Sequence, residues 1–292
     1  MNQEPTLSLS LSTPGRLKAV EHNLFDRIFL GYPFCLQWPD NQLADPQSLF
    51  EGLKNFPQPE KIVLRLPIRP LENQLPLLKS LLETAGELGL GGAAFDSIAM
   101  SEWVKAEFPQ GELYLDNFSA VYTGYDVKLA AELGVKGIVP APELGIDERE
   151  ALLGLGTEII TPLHGYLPLA FSRYCFFHPQ IPEPCDHICQ FSHILSYPQG
   201  KIKQKGKALF SDASLCCLPQ LPGWLKKGFR SFRLEGLLMS PEQIDRCGEV
   251  YRGALAGGEH EIPPDWAELF PEGFCNGFYS GARGIDFITE RS

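Results

Sequence analysis

The chain lacks the marks of several common protein classes. None of its 292 residues falls in an uninterrupted apolar run of ~18, so no membrane-spanning helix is predicted. The opening MNQEPTLSLSLSTPG carries no basic segment ahead of its apolar residues, which predicts no secretory leader. Neither GxGxxG nor GxxxxGK(S/T) occurs. The nearest match, GLGGAA at Gly89–Ala94, leads into an apolar stretch rather than out of one, so dinucleotide and nucleoside-triphosphate binding lose their main support. GxSxG and HExxH are missing as well, which leaves a peptidase without a nucleophile–base pair or a metal motif. Basic residues are outnumbered, 25 against 36, for a net charge of −11. Such a chain repels a phosphate backbone overall, and nucleic acid is disfavoured as a partner.

Eight cysteines are too few for a disulfide scaffold and, with no leader, predict reduced thiols in the cytoplasm. A hydrophobic content of 44% predicts a globular chain, one large domain at this length. Short apolar runs alternate with amphipathic stretches. Strands are predicted at 7–11, 26–30, 61–66, 91–95, 112–115, 137–139, 158–161 and 231–234. Helices are predicted at 16–23, 71–88, 101–107, 126–133, 147–155 and 241–255. The last of these has Ser240 as N-cap and Pro241 at the first helical position. Eight strands alternating with helices predict an α/β protein, a (β/α)8 TIM-like barrel, with an open doubly wound sheet as the alternative.

The alternation fails between the seventh and eighth strands. An insertion over about 176–210 is predicted there, and a C-terminal tail over about 258–292. Within the insertion, KIKQKGK at Lys201–Lys207 reads as a solvated loop or hairpin. At its start, HGYLPLAFSRYCFFHPQIPEPCDHIC at His164–Cys189 holds Cys175, Cys185 and Cys189. For a single thiol the default is a small buried apolar side chain. Three so close together, in a loop, point to a metal centre. Zinc would recruit His178, His187 or His193 as fourth ligand, whereas an iron–sulfur cluster would want a fourth cysteine. Cys35, just past the second strand, would lie on the same barrel face as Cys175. Cys216–Cys217, Cys247 and Cys275 read as packing thiols. Polar groups at other strand ends form a possible substrate pocket: Asp116 and Asn117, Glu143, His164, and Arg233 with Glu235.

These blocks resemble a known family. HGYLPLAFSRYC with the later CxxxC, LGYPFC at Leu30–Cys35 and CNGFY at Cys275–Tyr279 resemble the UbiV-like group of peptidase family U32, once labelled collagenase-like. DNFSAVYTG at Asp116–Gly124, PEL at Pro142–Leu144, RLEG at Arg233–Gly236 and the tail GFYSGARGIDFI resemble the wider family. The resemblance implies a 4Fe–4S cluster on Cys35, Cys175, Cys185 and Cys189. It also implies oxygen-independent hydroxylation of a quinone precursor in ubiquinone biosynthesis. The partners it implies are a UbiU-like protein subunit in a heterodimer and a lipid-carrier accessory protein. Other members of the family hydroxylate RNA bases, which makes an RNA-modifying enzyme the alternative; a zinc-stabilised binding module is a third.

Overall fold

The computed structural model describes residues 4–36, 41–176, 193–198 and 200–289. Seven parallel strands follow one another: β1 (Thr6–Leu11), β2 (Arg27–Leu30), β3 (Ile62–Arg65), β4 (Gly92–Phe95), β5 (Glu112–Leu115), β6 (Val135–Ile138) and β7 (Glu158–Gly165). The chain then leaves the barrel for β8 (Pro168–Phe171), β9 (His193–Tyr197), β10 (Gly200–Lys205) and β11 (Ala208–Ser211), an antiparallel sheet of order β8-β11-β10-β9. β12 (Ser214–Cys216) runs antiparallel to the end of β7. β13 (Ser231–Glu235) returns to pair in parallel with both β7 and β1, closing an eight-stranded barrel. β14 (Phe274–Cys275) adds to β12. The (β/α)8 barrel read from the alternation is therefore the fold. Among the described residues no helix is long and apolar enough to cross a membrane.

A helix follows each barrel strand: α1 (Pro14–Leu17), α2 (Pro46–Leu53), α3 (Leu75–Glu87), α4 (Ser101–Glu107), α5 (Gly124–Glu132), α6 (Ile146–Glu150), α7 (Leu221–Lys227) and α8 (Pro241–Leu255). A short α9 (Trp266–Leu269) precedes β14. Four helices depart from the sequence expectation. The helix predicted at 16–23 is only α1 followed by a 3-10 turn at His22–Leu24; Thr13 caps α1 through its hydroxyl, but the segment buries little beyond Leu17. The helix predicted at 147–155 stops at Glu150. The helices α2 and α7 were not predicted. α2 is signalled by Asp45-Pro46 and is capped by Asp45 accepting from the Ser48 N–H at 3.0 Å, but its apolar stripe is just Leu49 and Leu53. α7 is seven residues of which Leu221 and Trp224 are buried.

Side chains alternate in and out along the strands. Leu7, Leu9 and Leu11 join the large outer core under the helices, while Ser8 and Ser10 take the other face, equally buried. Inside the barrel Phe29, Val63, Ala94, Tyr114, Val139 and Ile160 form a separate apolar layer. The Tyr114 ring fits because its flanking strands carry glycine: a Cβ at Gly137 would stand 3.0 Å from it and one at Gly92 3.2 Å. Below this layer Arg27 pairs with Glu158 at 3.3 Å and stacks on Tyr114 at 4.8 Å. Above it lies a wholly polar layer.

Gly165 joins β7 to that upper layer. Its φ is 108°, and a Cβ there would meet the Glu235 carbonyl oxygen at 2.3 Å. Gly134 has φ 78° with nothing near. Gly134→Ala should therefore cost only the left-handed penalty, on the order of 1 kcal/mol, whereas Gly165→Ala adds a backbone collision and should cost at least about twice as much. Urea denaturation of the two variants checks the difference.

Candidate active site at the C-terminal face of the barrel

Strands β1, β3, β5 and β13 end in polar side chains that share one buried hydrogen-bonded layer. Asp116, one residue beyond β5, accepts from Arg65 Nε at 2.6 Å through Oδ2 and from Arg233 Nη1 at 2.8 Å through Oδ1. Glu235 Oε1 accepts from Arg233 Nε at 2.9 Å, Arg233 Nη2 at 2.6 Å and Asn117 Nδ2 at 3.3 Å. Its Oε2 accepts from the Ser10 hydroxyl at 2.9 Å. Arg233 also sits over the Phe29 ring at 4.9 Å, which fastens the charged layer to the apolar one beneath. Two arginines and two carboxylates balance, so the layer can be buried without a net charge. Burial by itself would raise the Asp116 carboxyl, but the Arg233 and Arg65 guanidiniums outweigh it and hold it at about 2. Burial likewise works against the charge on Arg233, and Asp116 and Glu235 overcome it and raise its pKa.

Four of the six predicted pocket residues, Asp116, Asn117, Arg233 and Glu235, thus belong to one network. Glu143 does not; it is exposed in the loop after β6, beside Tyr122. His164 does not either. It lies on the outer side of β7, fully buried among Trp266 (4.6 Å between ring centres), Phe270 (4.7 Å) and Tyr251, whose hydroxyl is 3.4 Å from Nδ1. Burial pushes its pKa down to about 3. Its neighbours make it a neutral core histidine. Arg65 and Ser10 were missed by sequence reading. The signal for Arg65 is a charge inside the apolar run KIVLRL, which a buried strand tolerates only when paired.

Above the network the rim is aromatic and strained. Phe34 meets Phe118 at 5.9 Å and Phe210 at 5.7 Å, and Phe118 meets Phe171 at 5.3 Å, so β8 and β11 bring two rings onto the loops that follow β2 and β5. The non-glycine residues with positive φ are Arg69 (45°), Phe118 (72°) and Ala120 (55°) among the described residues, all in loops at this face. Backbone strain of this kind gathers at functional sites. Asp96, directly after β4, is buried, and that burial raises its carboxyl pKa; its Oδ1 accepts from the Arg69 backbone N–H at 3.0 Å.

A cavity of about 710 Å³ opens between the loops after β2 and β3 and the end of β8. Cys35, Arg69, Phe171, Arg173, Tyr174 and Lys207 are among its walls. Cys35 and Cys175 are both half-buried, whereas Cys216, Cys217, Cys247 and Cys275 are buried, as their reading as packing thiols requires. Cys185 and Cys189 lie outside the described residues. Lys201–Lys207 forms the β10–β11 hairpin, and Lys203 is taken up by Glu272 at 2.7 Å and the Tyr166 ring at 3.8 Å. The turn at Gly277–Ser280 docks the tail: Tyr279 donates to the Pro162 carbonyl at 3.1 Å, and Asn276 bonds the Cys216 carbonyl at 3.2 Å.

Two predictions follow from the charges. Asp116→Asn leaves two buried guanidiniums short of a counter-charge and should lower stability by roughly 3–5 kcal/mol at pH 7, read by urea denaturation. Acid stability should fall in two windows. The folded His164 resists protonation, so its contribution is complete above the ordinary value of 6.5 and is lost as pH falls towards 3. That of Asp116 is complete above 3.8 and is lost as pH falls through about 2. In denaturation series against pH, His164→Phe should flatten the upper window only.

The profile of Peptidase family U32 matches residues 14–287. The 23S rRNA 5-hydroxycytidine C2501 synthase of Escherichia coli (strain K12) is 24% identical over 203 residues, a match that takes in 62% of this chain and 31% of that protein. The chain thus spans about a third of the length of that relative. A solved U32 peptidase shares 15% identity at a TM-score of 0.40, covering 59% of this chain and 72% of its own. Tryptophan synthase of Pyrococcus furiosus shares 11% at 0.48, covering 88% and 97%. Overlaps this loose carry no argument, and the barrel rests on its strand order. On the extent of the profile match, which leaves out only the two ends, the chain belongs to peptidase family U32.

Proposed function

We propose that the chain is an iron–sulfur protein of oxygen-independent hydroxylation, with a 4Fe–4S cluster on Cys35, Cys175, Cys185 and Cys189. The observation that carries this reading is the cavity at the barrel mouth, which has Cys35 on one wall and Tyr174, the neighbour of Cys175, on another. The two described thiols fit such a group. Both are half-buried, Cys35 lining the mouth and Cys175 next to its wall residue Tyr174, while the other four described cysteines are sealed in the core, and thiolates are the donors iron–sulfur clusters take. A bound cluster would supply electron transfer there. The chain's own residues shape the mouth: the Asp116–Arg233–Glu235 layer fixes the strand ends, and Phe34, Phe118 and Phe171 shield its rim from water.

For the substrate we favour a small quinone precursor, handled with a UbiU-like subunit and a lipid-carrier protein in ubiquinone biosynthesis. The net charge of −11 and the capture of Lys203 by Glu272 both weaken a basic channel for RNA. The second reading is hydroxylation of an RNA base, favoured by the Escherichia coli relative, an rRNA 5-hydroxycytidine synthase.

Purified without oxygen, the protein should be brown and hold about four irons per chain. Cys35→Ala should lose them; a colourless protein with one zinc, or unchanged iron in the variant, would sink the assignment. In a deletion strain, a quinone shortfall with normal rRNA nucleosides supports the first substrate, and a lost hydroxylated base with normal quinone supports the second.

A further inference from the structure

The 710 Å³ cavity reverses the charge balance of the chain. Overall 36 acidic residues outnumber 25 basic ones, yet among the described residues the cavity walls carry Arg69, Arg173 and Lys207 and no carboxylate. Arg69 is held there with unusual care. It has φ 45° although it precedes Pro70, and residues before proline favour extended backbone. Asp96 holds its backbone, accepting the Arg69 N–H at 3.0 Å through Oδ1, while Oδ2, which makes no hydrogen bond, stands at an ion-pair distance of 3.6 Å from the guanidinium Nε. Phe171 lies under the guanidinium at 5.3 Å. The side chain is nonetheless 66% exposed. The guanidinium nitrogen nearest Asp96 is Nε, and neither Nη nitrogen meets an acceptor among the described residues. Lys207 and Arg173 stand on neighbouring turns, joined by the Ser172 N–H donating to the Lys207 carbonyl at 2.7 Å. Their side-chain nitrogens, too, meet no acceptor among the described residues.

A fold gains nothing from a strained arginine whose fork faces a cavity; a glycine would meet the same backbone need without penalty. A planar fork on an anchored backbone, with a carboxylate beside Nε and a ring beneath, is the device that receives an oxyanion. We infer that this cavity is an oxyanion-binding subsite in which Arg69 is the primary contact, Lys207 and Arg173 add charge, and Asp96 is the positioning residue for Arg69. Its ligand is a small organic molecule carrying a phosphate or a carboxylate group. The inference rests on reading this cavity as the ligand site, and not on the cluster: iron content reports on the cysteines, anion binding on the arginine.

The test is calorimetric titration of the full chain with sodium pyrophosphate and, separately, sodium malonate, each against sodium chloride of equal ionic strength. Saturable binding of pyrophosphate alone assigns a phosphate ligand, and binding of malonate assigns a carboxylate. Arg69→Gly, which suits the backbone, should weaken binding about tenfold or more, and Arg69→Lys should recover only part of the loss. Lys207→Ala, at a half-exposed site, should weaken it several-fold with an unchanged melting temperature. Asp96→Asn should weaken binding less than Arg69→Gly, and not at all when Arg69 is already glycine, a coupling that a merely structural role would not produce. Binding no stronger than the chloride control, or equal binding by wild type, Arg69→Gly and Lys207→Ala, overturns the proposal whatever the iron content.

Discussion

The contact on which the rest depends is the one between Asp116 and Arg233, 2.8 Å apart with neither exposed. Each belongs to a strand on a different side of the barrel, and each has a second buried partner, Arg65 and Glu235. Opposite charges in a dry interior must be matched in number and geometry, or the group left over stays unsolvated. That requirement fixes the ends of β3, β5 and β13 relative to one another, and Ser10 brings β1 into the same layer. The loops that make the mouth grow directly out of these ends. Their placement is thus inherited from a charge balance deeper in the barrel.

The layering explains why polar residues at similar positions in sequence have different fates. Glu235 and His164 both lie at the ends of adjacent strands, and Leu234 is the register partner of His164. Being one residue out of phase, they face opposite sides of the sheet: Glu235 meets Ser10 and Arg233 inside, while His164 is walled in by Trp266, Phe270 and Tyr251 outside. Strand periodicity, not proximity to a strand end, decides which side chain can reach the mouth.

The same physics sets what could be read from sequence. Strand positions were legible because β1 to β7 and β13 are short apolar runs bounded by turns, and eight of them imply closure. Asp116 and Arg233 were legible as polar groups at strand ends. Arg65 was not: its place in the apolar run KIVLRL signals a paired charge, but nothing local names a partner 51 positions away. α2 and α7 were missed because each buries two side chains along its length, too few for a helical period to stand out. Arg69 and Asp96 were invisible for a further reason: their relation is a backbone conformation, and Arg-Pro in sequence predicts the opposite of what it adopts.

The closure of the barrel by β13 has a consequence for how the molecule is made. β1 and β13 are partners along Thr6–Ser10 and Ser231–Glu235, so the first strand to be synthesised waits for the last of the eight. Until then one flank of β1 and one of β7 are open edges, and Asp116, though paired with Arg65, lacks the second guanidinium that Arg233 supplies. Contacts of such long range form slowly. The antiparallel sheet from β8 to β11 emerges during that interval, while the edge of β7 is still open. The protein's vulnerable period on the ribosome is therefore set by the length of chain between β7 and β13.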